Sequence, residues 1–324
     1  MTDDTAPHAG IDLDLIDLSK AGTPSFFQSH FNLNKDKIDY KAFVKSISEK
    51  MLENESFLSF SAQIKDVNNI LKMKYASTRD IADVISMDGA LTTQLLKLVN
   101  SSFYDQVPHK TMATISEAMI ILGTEEIKLA ATTLKIYALL QEMANIKTLK
   151  AKTHKALQRS IIARQIALDN GIKDAETIQI STMLYDFGEY LVALFSPEVY
   201  IRIELCAEEN NLSREQASKS IIGQSYSALG RFVVSKWNLP AAILNAMKPI
   251  TDFKGVSDRL TIEERQRIIC SFSNELCYID LSLGGDHARK KIEEITENYK
   301  NFLNIPPSKS LDLLKYGDTL LIFF

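Results

Sequence analysis

The chain has 324 residues, of which 45% are hydrophobic and 24% charged, the balance of a globular protein and not of a disordered or fibrous one. No apolar run approaches the ~20 residues needed to cross a bilayer. With 41 acidic against 37 basic side chains the net charge is −4, the wrong sign for a surface that lives on nucleic acid.

Residues 1–37 are polar, carry Gly10, Gly22 and Pro24, and read as an arm. Met1–Thr5 lacks the apolar stretch of a secretory leader, so the cytoplasm is the expected location. Helical periodicity begins near Ile38. It continues almost unbroken, because apolar residues recur at spacings of three and four and only 12 glycines and 8 prolines interrupt them. An all-α chain is expected. Thr78 stands as an N-cap ahead of Asp80 and Asp83, and Leu91, Leu95, Leu98 and Val99 share one helical face. Thr114 to Glu117 fits a capping box, Gly123 ends that helix, and Thr124 caps the next. The lysine-bearing stretch 144–152 reads as a helix end and connector, and Leu157, Ile161, Ile162 and Ile166 line a further face. Ser213 to Gln216 is a second capping box, and Asn238-Leu239-Pro240 stops one helix and opens another. Lys254-Gly255 marks a seam. Cys270 and Cys277, seven apart, share a helix face as small buried hydrophobes; with Cys206 they form no CxxC and no disulfide framework. Gly284-Gly285 and Pro306-Pro307 break the tail, where Arg289-Lys290-Lys291 and Glu293-Glu294 form solvated pairs. The organisation expected is an arm at 1–37, a helical domain at 38–283 and a helical tail at 284–324 packed on it.

Between Ser77 and Gly123 the sequence becomes specific. Asp80-Ile81-Ala82-Asp83 leads through Met87-Asp88-Gly89-Ala90-Leu91 to Asn100-Ser101-Ser102-Phe103-Tyr104, then to Ile115-Ser116-Glu117-Ala118 and Leu122-Gly123. Tyr185-Asp186-Phe187-Gly188, Ala228-Leu229-Gly230 and Trp237-Asn238-Leu239-Pro240 follow in order. This series resembles the HDOD domain, a bacterial signalling relative of the HD metal-dependent phosphohydrolases, with Gly89 where the family carries proline. The resemblance implies an HD-like helical bundle, here with extra N- and C-terminal helices. It also implies a role in signal transduction with a signalling protein in trans.

The family's active relatives hold one or two divalent metals with histidines and aspartates from separate helices, including an adjacent His-Asp pair; the metals supply hydroxide and neutralise phosphate. Carried over by position, that pair falls on Tyr185-Asp186, the upstream histidine on Arg159, the next helix-start histidine on Tyr226, and a later His-His pair on Ile250-Thr251, just past Lys248. Only Asp186 remains as a ligand. Arg159 is a permanent cation, which at ~4 Å and an effective dielectric of ~20 opposes a metal by several kcal/mol. His8, His30, His109, His154 and His287 share no i, i+3 or i, i+4 spacing. No P-loop, GxGxxG or GxSxG is present. No metal, no cofactor and no catalytic residue is expected.

The reading is therefore a non-catalytic signalling module, a pseudoenzyme whose former HD pocket is lined by Arg159, Tyr185, Asp186 and Tyr226, with Lys248 at its edge. Two arrangements of these residues compete. In one, Asp186 pairs with Arg159 in an internally satisfied polar knot. In the other, cations and phenols hold a small anionic ligand such as a nucleotide phosphate. The alternative function is a metal-dependent phosphohydrolase with an atypical site built on Asp186. Nucleic-acid binding by the helix–Gly–Thr–helix corner at 115–131 fails on charge, since Glu125-Glu126 opens the second helix.

Overall fold

The computed structural model describes residues 38–72, 77–100, 111–144, 147–172, 175–237, 239–250, 260–279 and 285–320. The polar arm, Ser101–Tyr104, His109, Asn238, Thr251 and the Lys254-Gly255 seam lie outside them. Among the described residues every element is helical, and no helix is long and apolar enough to cross a membrane.

α1 (Tyr40–Glu53) and α2 (Glu55–Lys72) are hinged at Asn54, whose side chain accepts from Phe57 N at 2.8 Å. α3 (Thr78–Ser86) is capped one residue earlier than expected. Ser77, in extended backbone, accepts from Asp80 N while Asp80 accepts from Ser77 N at 2.9 Å, so Thr78 is already helical. Asp88 caps α4 (Gly89–Val99). The Asn100 side chain then bridges Leu96 O and Met112 O, both at 2.8 Å, and accepts from Met112 N, so it ties the end of α4 to the approach of α5 (Ile115–Leu122). Thr114 caps α5, but Glu117 reaches back to Ala113 N, so only half of the expected capping box forms. Gly123, at φ 95 and ψ 148, is at once the C-cap of α5 and the N-cap of α6 (Thr124–Met143). That backbone region is open to glycine alone. Gly123 is the single residue between the two helices, and Thr124 enters the helix instead of capping it. α3 to α5 and the first half of α6 enclose one core around Ile81, Leu95, Leu98, Met119 and Leu134.

α7 (Lys147–Asp169) starts where a connector was expected, so Lys150 and Lys152 are helical. It is the spine of the remaining chain. Leu157 and Ile161 face a core shared with α2, α9 (Phe187–Phe195), α10 (Pro197–Glu209), α11 (Arg214–Ile222) and α12 (Tyr226–Val234). At its centre Trp237, in a 3-10 turn, meets the rings of Phe60 and Phe187 at 5.2 and 5.1 Å. Ile162 and Ile166 face a second core made with α8 (Ala175–Met183), α14 (Ile262–Cys277), α15 (Gly285–Tyr299) and α16 (Pro307–Leu320). Short α13 (Ala241–Ala246) follows Pro240 and joins α12 to α14. Cys270 and Cys277 are buried in this second core, and Thr182 donates to Cys270 Sγ at 3.1 Å. Each such aliphatic side chain contributes about 1.5–3 kcal/mol on burial.

Two glycines set the geometry of the site. A Cβ on Gly188 would lie 1.9 Å from Tyr226 O, and one on Gly230 would lie 2.6 Å from Gly188 N. α9 and α12 therefore cross backbone on backbone, and the start of α12 is brought against the start of α9.

Candidate functional site

Lys152 and Arg159 lie seven residues apart on α7 and so project from one stripe. The crossing of α9 with α12 brings Asp186 and Glu189, at the start of α9, beneath them. Arg159 is buried. Its Nη1 donates to Asp186 Oδ2 at 2.5 Å and its Nε donates to Thr182 O at 2.9 Å. Two further groups from the end of α14 fill the Asp186 carboxylate. The Tyr278 hydroxyl lies 2.7 Å from Oδ2. The Asn274 amide nitrogen, oriented toward the carboxylate by the hydrogen-bond pattern, donates at 3.0 Å.

Glu189 is the second node. It accepts from the Lys152 ammonium, Arg214 Nε stands 3.7 Å away, and its Oε2 lies 2.7 Å from the same Tyr278 oxygen, whose single proton is shared between the Asp186 and Glu189 carboxylates. Burial raises its carboxyl, but Lys152 and Arg214 outweigh burial and hold it at about 2. Burial disfavours the Lys152 charge in turn, yet Glu189 keeps that ammonium above the ordinary lysine range. Arg214, at the start of α11, also donates to both oxygens of Glu204 at 3.0 Å and lies over the Tyr278 ring, 4.5 Å from its centroid. Burial pushes the Glu204 carboxyl up, against the pull of Arg214. It also pushes up Glu215, whose carboxylate caps α12 by accepting from Ser227 N at 2.9 Å. The Tyr278 ring reaches solvent, 41% exposed, while its hydroxyl is desolvated and far above the usual phenol range.

Of the five residues expected to line the pocket, the structure joins Arg159 and Asp186 directly. Tyr226 is buried near Glu189, Glu204 and Arg214, and its hydroxyl finds no partner among the described residues. Tyr185 turns the other way. Its hydroxyl lies 2.9 Å from Ser271 Oγ on α14, and that oxygen also accepts from Ile250 N. Lys248 is exposed beyond α13; its backbone N–H donates to Asn245 O and its carbonyl accepts from Arg267 Nε, each at 3.1 Å.

The HDOD domain family model matches residues 58–252, more than half of the chain. The chain belongs to the HDOD family. An HDOD domain protein of unknown function from Geobacter sulfurreducens superposes with a TM-score of 0.58 at 17% identity, covering 87% of this chain and 99% of its own. A candidate phosphohydrolase from Shewanella amazonensis SB2B gives 0.61 at 15% identity, covering 86% and 97%. At these identities the likeness is one of fold. An uncharacterized protein of Treponema pallidum (strain Nichols) is 24% identical over 191 residues, 58% of this chain and 36% of that relative. The chain thus spans about a third of the length of the curated relative it matches.

The residues of this HDOD pocket do not fit the metals of the HD phosphohydrolases. Among the described residues no three His, Cys, Asp or Glu side chains are grouped to hold a metal ion. Asp186, the one retained ligand position, has its Oδ2 facing Arg159, Tyr278 and Asn274, so a cation of the chain already sits against it. An anion fares little better, because each cation already faces a carboxylate: Lys152 on Glu189, Arg159 on Asp186, Arg214 on Glu204. Sequence reasoning missed Lys152, Glu189, Glu204, Arg214 and Tyr278. The first two carried a signal, since Lys152 precedes Arg159 by two helical turns and Glu189 follows Asp186 by three residues.

Proposed function

We propose that this HDOD protein is a non-catalytic regulatory module that works in cytoplasmic signal transduction by binding a partner protein. The observation that carries the reading is the Arg159 guanidinium on the Asp186 carboxylate, 2.5 Å away, where the resemblance places two ligands of one metal centre. A fixed cation supplied by the chain takes over the charge-balancing work of the metal. It cannot generate hydroxide or exchange ligands as a metal does. The network ties α7, α9, α11 and the end of α14 together with each cation already on a carboxylate, which leaves the outer surface of the bundle for function. A small anionic ligand is the second reading. It is favoured by the unpartnered Tyr226 hydroxyl and disfavoured by the carboxylates already seated on all three cations.

The test is direct. The full chain is equilibrated with Mn²⁺, Fe²⁺ or Zn²⁺, examined by native mass spectrometry, and assayed on phosphomonoesters, phosphodiesters and cyclic dinucleotides. The expected outcome is no stoichiometric metal and no stimulated turnover. Metal-dependent hydrolysis that disappears in Asp186→Ala would overturn the reading.

A further inference from the structure

The charge network is buried unevenly. Glu189 and Arg159 are 3% and 5% exposed, whereas Arg214 and Tyr278, stacked on one another, reach solvent at 40% and 41%. Tyr278 comes from the end of α14. Its backbone N–H donates to Glu275 O and Leu276 O, so the main chain is held there and the ring can move only through its own side-chain torsions.

The hydroxyl of Tyr278 is in place but poorly paid with bonds. It has one proton, and an oxygen of Asp186 and an oxygen of Glu189 each stand 2.7 Å from it, so one of the two contacts sets lone pair against lone pair. Its departure strands nothing. Asp186 keeps Arg159 and Asn274, Glu189 keeps Lys152 and Arg214, and Arg214 keeps both oxygens of Glu204. A hydroxyl that leaves its partners satisfied and meets water outside gives up little, while withdrawing Arg159 or Lys152 would leave a buried carboxylate without its cation. Tyr278 is thus the member of the network that can leave without stranding another. We propose that Tyr278 is a gate, alternating between the closed position against Asp186 and Glu189 and an open one in which the ring swings into solvent and uncovers the network. Water or a small anion reaches Arg159 and Lys152 only in the open position. The inference concerns access to the network and holds for either reading of the function above.

The test uses the full chain carrying 3-fluorotyrosine, with the Tyr278 line assigned by its loss in Tyr278→Phe. In fluorine NMR that line should show relaxation dispersion on the microsecond-to-millisecond scale, and the lines of the buried Tyr226 and Tyr299 should not. Modification of Arg159 by phenylglyoxal, mapped by mass spectrometry, should rise about tenfold in Tyr278→Ala, with exposed Arg265 unchanged as the control for an intact fold. A flat dispersion profile at Tyr278, or equal dispersion at all three tyrosines, would overturn the proposal. So would an unaltered Arg159 rate in folded Tyr278→Ala; if that variant does not fold, the dispersion measured on the unsubstituted chain decides alone. Neither readout involves turnover or metal, so failure of the gate leaves the hydrolysis assays to judge the non-catalytic reading.

Discussion

Replacing Asp186 by asparagine removes one charge from the centre of the buried network and changes almost no volume. Arg159, whose side chain is 5% exposed, would keep its charge and lose its carboxylate. Leaving one member of a buried pair uncompensated costs about 3–5 kcal/mol. For a chain of this size, at about 2 °C per kcal/mol, that lowers the melting temperature by roughly 6–10 °C. Arg159→Met should cost less, about 1–3 kcal/mol, because Asp186 is 17% exposed and keeps Tyr278 and Asn274. The double variant Arg159→Met with Asp186→Leu removes both charges and should recover much of the loss, with a coupling of about 2 kcal/mol. Urea unfolding followed by far-ultraviolet circular dichroism gives all three values. A loss below about 1 kcal/mol in Asp186→Asn, or strict additivity in the double variant, would refute the claim that this pair is a desolvated unit.

Gly188→Ala should prevent normal assembly, because its Cβ would lie 1.9 Å from the Tyr226 carbonyl, whereas Gly89→Ala, with nothing within 4 Å, should be neutral or stabilising by up to about 1 kcal/mol; thermal melts of the two variants make the comparison. The pH dependence has two limbs. Glu189, depressed from 4.5 to about 2, contributes stability that is complete above pH 4.5 and lost as pH falls toward 2. Glu204, Glu215 and Glu275, each raised by burial, favour their protonated forms in the fold and so add stability as pH falls toward 4.5 from above. Denaturant midpoints from pH 7 to 2.5 should therefore drop in the acid limb, and Glu189→Gln should flatten that limb while leaving the upper one.

What could be read from the sequence was whatever depends on local pattern. The face Leu91–Val99 is buried as its spacing requires, because a helix commits residues at that spacing to one side; Leu157, Ile161, Ile162 and Ile166 are buried as well, but α7 divides them between two cores, which local spacing does not reveal. Cap positions were legible to within a residue. Ser77 displaced Thr78 because both carry hydroxyls and only the backbone torsions separate them. The Arg159–Asp186 pair was legible through the resemblance, which aligned both positions with ligands of one centre. Arg214 and Tyr278 were not. They arrive from α11 and the end of α14, and nothing in their own neighbourhoods fixes the distance to Glu189. Lys152 was obscured because a lysine-rich, weakly periodic stretch looks like a connector until α7 is seen to start at Lys147.

The contact between Gly188 and Gly230 has no side chain that can change rotamer or slide. The starts of α9 and α12 are therefore held at a spacing that no rotamer change can adjust, and Asp186, two residues before Gly188, and Tyr226, four before Gly230, are both set by it.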